Sequence, residues 1–313
     1  MTNKIINIFS RIFNIFFIFL LFPCLIIVSA QELPPNKGRL ILGFYANSIP
    51  DVASRSDVEV SLNFWAKELL TEQARKLNLE IVESRAILYD NFDELYAAAQ
   101  KGELDLVVAP PILFSKYFKR DELTDGFVAM LQGRKKDGVL LVSRADQNIK
   151  SVKDLQNSRL MILSNDEMVD IFTNSLFMKN FNKNYTDVVS SVEMQNKSSR
   201  IVLDIFFKRA DAGVIYRSVY DVMVELNPDI TNKVVILEEF PIKGKNFSFF
   251  IKNYPFADQM RGHAIKSFQD HPRGKQILEA FGTPDLEDCS LQELDVFDKF
   301  YQDYLQLKYN LKH

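Results

Sequence analysis

The chain alternates short apolar runs with longer segments in which apolar residues recur at helical spacing. Arg39–Tyr45 (RLILGFY) is apolar at nearly every position, the pattern of a strand covered on both faces. Between Asp57 and Leu77, residues such as Leu62, Trp65, Leu69, Leu70 and Ala74 fall on one side of a 3.6-residue repeat and predict an amphipathic helix. Leu79–Val82 predicts a short strand. Asn91, with Glu94 three residues later, reads as a capping box that opens a helix, and Gly102 ends it. Leu104–Ala109 predicts a third strand, and Pro110-Pro111 opens a short helix. Three strand–helix units in succession imply a right-handed βαβ sheet with helices on both faces.

The rhythm then changes. Phe127–Leu131 and Gly138–Ser143 predict strands joined by a basic turn, Arg134-Lys135-Lys136, whose charges are read as solvated. Strands at Arg159–Leu163, Val188–Met194 and Asp211–Tyr216 alternate with helices at Asp166–Asn180, Ser199–Lys208 and Ser218–Leu226, a second α/β unit. Strands at Val234–Leu237 and Phe247–Ile251 follow, then helices at Phe256–Gln269 and Gly274–Ala280. Leu291–Leu311 predicts a final helix with a stripe of Val296, Phe297, Phe300, Tyr304 and Leu307, expected to pack on its own lobe.

The first thirty residues carry a separate signal. Lys4 and Arg11 precede an apolar stretch, Ile12–Val28, interrupted by Asn14, Pro23 and Cys24, and Val28-Ser29-Ala30 supplies small residues at −3 and −1. This is the layout of a secretory signal peptide cleaved after Ala30. An uncleaved N-terminal anchor and a lipoprotein joined at Cys24 are the alternatives; the residues before Cys24, Leu21-Phe22-Pro23, lack the small residue the latter needs. In each case residues from 31 onward work outside the cytoplasm.

Composition narrows the function classes. Loss of Lys4 and Arg11 with the leader takes the net charge from −3 to −5. A mildly acidic chain gives no electrostatic reason to expect nucleic acid or an anionic membrane as partner. Cys289 would be the sole cysteine of the mature chain, so no internal disulfide is expected, and the Phe residues, 26 in the full sequence and six of those in the leader, must help carry the packing. His263, His271 and His313 have no neighbours at metal-ligand spacing. A GK[ST] phosphate loop, a G-x-S-x-G elbow and an H-E-x-x-H pair are absent from the sequence. A non-enzymatic protein without cofactor or metal is expected.

The order of short motifs adds a resemblance. The opening strand Leu40-Ile41-Leu42-Gly43-Phe44-Tyr45, the segment Lys101-Gly102-Glu103-Leu104-Asp105-Leu106-Val107-Val108-Ala109, the strand Gly138–Arg144, Ile149-Lys150-Ser151-Val152-Lys153-Asp154-Leu155 and Lys208-Arg209-Ala210-Asp211-Ala212-Gly213-Val214 follow one another as in a known family. The chain resembles the phosphonate/phosphate-type periplasmic substrate-binding proteins of ABC transporters, within the type II periplasmic-binding fold, over most of residues 38–283. The resemblance implies an α/β protein of two lobes, each a mostly parallel sheet flanked by helices, plus a C-terminal helix. Residues 31–130 and a return segment 232–285 would form one lobe and residues 131–231 the other, with 286–313 as a helical tail. It also implies a periplasmic, monomeric receptor. This receptor traps a small polar ligand, an anion such as phosphate, phosphonate or a carboxylate, between the lobes and passes it to an ABC permease. The readings kept beside it are a sensor module for a membrane signalling partner, a receptor for a cationic or neutral ligand, and a small dehydratase-like enzyme on the same fold.

Open α/β sheets bind ligands beyond the carboxyl ends of their strands. That rule nominates Tyr45, Asn47 and Ser48 after the first strand and Tyr89 after the second. The N–H groups of Ile112 and Leu113 lie at a helix start, where Pro110 and Pro111 remove two donors. Where the family holds its ligand with hydroxyls at a helix start, this chain carries Ser164 and Asn165 followed by Asp166, Glu167 and Asp170. Acids facing the cleft there would repel a phosphonate and suit a cation, whereas acids facing solvent would stabilise the helix dipole. Lys197 and Ser198 fall near another contact region of the family. Tyr216 and Arg217 stand at the carboxyl end of a strand, where the guanidinium suits a carboxylate or phosphoryl group.

Overall fold

The computed structural model describes residues 37–48, 54–130, 137–280, 283 and 285–312. The signal peptide, the Pro34-Pro35 linker, the basic turn Arg134-Lys135-Lys136 and His313 lie outside the described residues.

The apolar run at the start folds as β1 (Lys37–Tyr45), buried along most of its length. It can be so because it runs between two parallel neighbours, β2 (Glu80–Tyr89) and β3 (Leu106–Ala109). The helix between β1 and β2, α1, comprises Arg55–Phe64, a π-helical segment Trp65–Leu70 and Thr71–Lys76. Ser54 caps it, its Oγ accepting from the Asp57 N–H at 3.2 Å. Trp65 is buried, donates to Ser267 Oγ at 2.9 Å and stacks on Phe268. The helix α2 (Phe92–Gln100) starts at Asn91, whose side chain accepts from the Asp93 N–H, and Gly102 beyond its end adopts φ +70°, the left-handed conformation that glycine adopts without strain. The short helix α3 (Pro111–Tyr117) begins with proline, as read from the sequence.

After β4 (Leu123–Met130) the chain enters a second sheet. Here β5 (Asp137–Arg144) is followed by β6 (Arg159–Leu163), helix α4 (Glu167–Phe181), β7 (Ser191–Gln195), helix α5 (Ser198–Phe206), β8 (Ala212–Tyr216) and helix α6 (Arg217–Leu226). A short helix α7 (Ile230–Lys233) leads into β9 (Val234–Ile242), which pairs along β5. The chain then returns to the first sheet with β10 (Phe247–Ile251), helices α8 (Ala257–Gln269) and α9 (Pro272–Ala280), β11 (Asp285–Cys289) and the terminal helix α10 (Asp295–Lys312).

Among the described residues, one lobe has six strands in the order β11-β4-β10-β3-β1-β2 and the other five, β7-β6-β8-β5-β9. The architecture is two-lobed, as expected, but the sheets are mixed rather than mostly parallel. In the first sheet β1 pairs in parallel with β2 and β3, while β10 and β11 run antiparallel to their neighbours. In the second, β5 is antiparallel to both β8 and β9. The strands that flank the crossings between lobes, β4, β5, β9 and β10, all take part in antiparallel pairs, because each lobe is entered and left through adjacent strands. The return to the first lobe therefore comes after Ile242, not at 231.

The motif aspartates act alike in the two lobes. Asp105, entering β3, accepts from the Ile41 N–H at 2.8 Å and faces Arg39, and Asp211, entering β8, accepts from the Arg159 N–H at 2.9 Å and from its guanidinium. Each ties one strand to its parallel neighbour.

The C-terminal helix differs from expectation. It contacts α3 of one lobe and α4 of the other, so it spans both lobes and does not cover one alone. Phe297 is 1% exposed, its ring 5.9 Å from Phe240 of β9 and 5.8 Å from Phe247 of β10. Those two strands flank the crossing, so the helix sits where the lobes join. No helix among the described residues is long and apolar enough to cross a membrane.

Candidate functional site

A cleft of 590 Å³ opens between the lobes. Tyr45, at the carboxyl end of β1, and Asn47, in the turn after it, come from the first lobe, as do Asp90, Asn91 and Phe92 after β2. Leu113 and Tyr117 of α3 complete that side. The second lobe supplies Ile162 and Leu163 of β6, the loop residue Asn165, then Asp166, Glu167 and Asp170 at the start of α4, with Met194 of β7 at the edge. Each lobe thus meets the cleft at the carboxyl ends of parallel strands, the place the topology favours.

The first wall is aromatic. Tyr45 meets the Phe92 ring edge-on at 5.5 Å, and Phe92 meets Tyr117 at 4.8 Å. Burial raises the Tyr45 hydroxyl pKa, opposed in part by the hydrogen bond from Asn47, whose amide donates to the phenol oxygen at 2.9 Å. The Asn47 amide also reaches the other lobe, donating to the Asn165 carbonyl at 3.3 Å. Asn165 holds φ +55°, a conformation that asparagine tolerates better than most residues. A second cross-lobe link runs from Lys116 Nζ to Glu167 Oε1 at 2.7 Å. Burial works against the Lys116 ammonium, but the hydrogen bond to Glu167 and its charge, with Tyr117 and Tyr301, together outweigh it and hold the pKa above the usual lysine value.

The second wall is acidic. Asp166 caps α4: its Oδ1 accepts from the Val169 N–H at 3.1 Å, and its Oδ2 accepts from the Tyr216 hydroxyl at 2.9 Å. Tyr216 is buried, and that burial together with the adjacent Asp166 charge raises its pKa well above the ordinary tyrosine value. One turn further, Asp170 Oδ1 accepts from the Tyr185 hydroxyl at 3.1 Å and from the Asn174 amide at 3.2 Å. Its pKa is raised, chiefly by burial. Asp166, Glu167 and Asp170 therefore line the cleft, and Asp166 caps the helix as well.

Other residues singled out in the sequence stand elsewhere. Ser48 is in the turn Ala46–Ser48 but is not part of the cleft lining. Tyr89 is the last residue of β2, opposite Tyr45, and does not line the cleft either. Ser164 is spent on joining two loops, donating to Asn196 Oδ1 at 2.6 Å. Lys197 is exposed at the start of α5, and Ser198 is buried, its hydroxyl accepting from the Tyr216 N–H at 3.4 Å. Tyr216 reaches the site only through Asp166.

Arg217 is the clearest departure. Its Nε and Nη2 grip Glu239 of β9 at 2.6 and 2.5 Å, a bidentate pair that leaves no fork for a ligand. The start of α6 beside it is closed as well, because Asp137 accepts from the Ser218 N–H at 2.9 Å and from its hydroxyl at 3.1 Å. The helix start at Ile112 and Leu113 is buried and carries no side-chain cap.

Sequence reasoning missed Asp90, Phe92 and Tyr117 as cleft residues, and used Asn91 only as a cap. The signal was present for Asp90 and Asn91, since they follow the true end of β2, seven residues beyond the predicted end at Val82.

Comparison with known proteins bears on the whole of this arrangement. The chain is similar to a Xanthomonas citri protein solved bound to ATP, with TM-score 0.64 at 11% identity, over 88% of this chain and 99% of that one. It is similar to the binding-protein component of a phosphonate ABC transporter from Pseudomonas aeruginosa, with TM-score 0.55 at 10% identity, over 87% and 89% of the two chains. It is also similar to PhnD1 of Prochlorococcus marinus in complex with methylphosphonate, with TM-score 0.55 at 14% identity, over 87% and 100%. At such identities these likenesses establish the fold. No curated protein matches the chain. The family model described as the periplasmic substrate-binding protein of phosphonate ABC transporters matches residues 66–292, and the chain belongs to that family of binding proteins, which are not enzymes.

Proposed function

We propose that this protein is the exported receptor of an ABC importer, cleaved after Ala30 and working as a monomer, and that it captures a small polar solute between Tyr45–Asn47 and Asn165–Asp170. The observation that carries the reading is the cleft itself. Its volume of 590 Å³ falls within the range of small-molecule sites, and both lobes line it. The Asn47–Asn165 and Lys116–Glu167 links cross it, so bringing the lobes together over a solute would form contacts that opening breaks. The family and the methylphosphonate held by the Prochlorococcus relative make a phosphonate the first ligand to consider, with Tyr45, Asn47 and Asn91 as neutral hydrogen-bonding groups facing it. The carboxylates of the second wall favour a cationic ligand as the second reading.

The test is calorimetric titration of the processed protein with phosphonates, phosphate, carboxylates, amino acids and polyamines, repeated with Asn47→Ala. The expected outcome is saturable binding by one class, weakened by the substitution. Binding that is indifferent to Asn47→Ala and to Tyr45→Ala would place the solute outside this cleft and refute the reading.

A further inference from the structure

The second wall of the cleft is built in a way that decides the charge of what can sit against it. An anion would seek the start of α4, where backbone N–H groups and the helix dipole point into the cleft. That place is already filled by the protein's own carboxylate: Asp166 takes the Val169 N–H and the Tyr216 hydroxyl. A second anion there would face a like charge at contact distance. The neighbouring places are closed too, since Asp137 occupies the start of α6 and Glu239 holds Arg217.

The charge of the cleft is equally directed. Asp90 is neutralised by Arg55, and Glu167 by Lys116. Asp166 and Asp170 make no salt bridge among the described residues; their oxygens accept only from neutral donors, the N–H, hydroxyl and amide groups already named. Among the described residues the cation at the cleft is Lys116, committed to Glu167 and 5.2 Å from the centre of the Tyr117 ring, and the Lys308 charge bears on Asp170 from the terminal helix. A carboxylate has about four acceptor positions, so Asp166 and Asp170 retain capacity for further donors. Opposite them stand the rings of Tyr45, Phe92 and Tyr117. Carboxylates on one side and aromatic rings on the other, the Tyr117 ring already carrying the Lys116 ammonium, form the setting for an organic cation, which donates charge-assisted hydrogen bonds to one wall and makes ring contact with the other. Among the described residues no three His, Cys, Asp or Glu side chains converge as a metal site would require, which favours an organic cation over a metal ion.

We infer that the ligand carries a cationic nitrogen, an alkylammonium or guanidinium group, seated between Asp166 and Asp170 on one side and the Tyr45–Phe92–Tyr117 wall on the other, and that a phosphoryl group alone does not suffice. The inference rests on the receptor reading of the same cleft, and site identity does not depend on the acids, since the topology and both walls locate it.

Three probes test it: putrescine, 2-aminoethylphosphonate and methylphosphonate, titrated into the wild-type protein, Asp166→Asn, Asp170→Asn and Asn47→Ala. Asparagine is itself a good N-cap, so Asp166→Asn keeps the helix start while removing the charge. The expected result is binding of at least one amine and little of methylphosphonate, with each carboxylate substitution weakening the amine by roughly tenfold to a hundredfold, the range for a lost hydrogen bond to a charged group. Binding of putrescine assigns a free amine, whereas binding of 2-aminoethylphosphonate alone assigns the ammonium to an aminoalkylphosphonate. Both outcomes support the inference. Methylphosphonate binding as tightly as 2-aminoethylphosphonate, amine affinity unchanged in both Asp variants, or no amine binding at all overturns it. Methylphosphonate binding that Asn47→Ala weakens would overturn the cation and leave the receptor reading standing, whereas binding untouched by any cleft substitution would defeat both.

Discussion

The terminal helix offers the most quantitative prediction, centred on Phe297. Its side chain is 1% exposed and lies against Phe240 and Phe247, the residues that flank the return crossing between lobes. Phe297→Ala removes a fully buried aromatic ring from a site where the strands on either side are fixed by their sheets, so the cavity cannot readily collapse. Substitutions of this kind cost about 3–5 kcal/mol. In a protein of this size each kcal/mol moves the melting temperature by roughly 2–4 °C, which gives a fall of roughly 6–20 °C. Leu305, on the same helix but 38% exposed, supplies the control, and Leu305→Ala is expected to stay within about 1 kcal/mol. The assay is equilibrium urea unfolding followed by fluorescence and circular dichroism together. A single transition is expected, because one apolar cluster runs from α3 through the crossing strands into α4. A loss below about 1 kcal/mol for Phe297→Ala, or two separated transitions in the wild type, would refute the idea that this helix binds the lobes into one unit.

Three further outcomes follow from the geometry. Lys116→Met removes the cross-cleft ion pair with Glu167; both side chains are about one-third exposed, so the effect on ligand affinity is small, about 0.2–1 kcal/mol or roughly 1.4- to 5-fold, and shrinks in high salt when measured by titration. Cys289 is buried and its thiol is pushed up to about 12 by that burial, so a thiol reagent at neutral pH should leave it unmodified until the protein is unfolded, as a colorimetric thiol assay would register. The Arg159 guanidinium and N–H hold the Asp211 carboxyl below its usual range. The stability this confers is fully present above the unfolded value of about 3.9 and is lost as pH falls through the lower folded value, so Asp211→Asn should flatten the acid limb of a stability–pH curve measured by urea unfolding.

What could be read in advance follows burial. β1, β3 and β5 are buried along their lengths, and their near-continuous apolar runs announced them. β2 and β11 are edge strands: in Glu80–Tyr89 the polar Glu83-Ser84-Arg85 separates Ile81-Val82 from Ala86–Tyr89, and Asp285–Cys289 reads DLEDC. Such strands are held by the ladder of a neighbour, β1 or β4, and the charges within them break up any continuous apolar run. The cost was functional, because ending β2 early hid Asp90 and Phe92. The cleft's first residues, Tyr45 and Asn47, were legible because β1 fixed where its carboxyl end lies.

Arg217 and Asp166 mark the limit of that legibility, and for the same reason. Each is a charged residue at a strand end or helix start, where the sequence admits a ligand contact or an internal partner. The partner decides between the two, and it comes from far along the chain. Glu239 can hold Arg217 only because β9 stays in the second sheet to Ile242; a boundary at 231 would have sent Glu239 to the other lobe. For Asp166, the Tyr216 hydroxyl arrives from β8, fifty residues on, and fixes the carboxylate at the cleft wall instead of turning it to solvent. The two pairings change the site together: one commits to Glu239 a cation the sequence had offered to the site, and the other leaves Asp166 at the cleft wall without an ion pair among the described residues. A cleft whose family is named for anionic ligands has thereby been given a negative second wall, and the amine titrations are the direct measure of what that wall was built to hold.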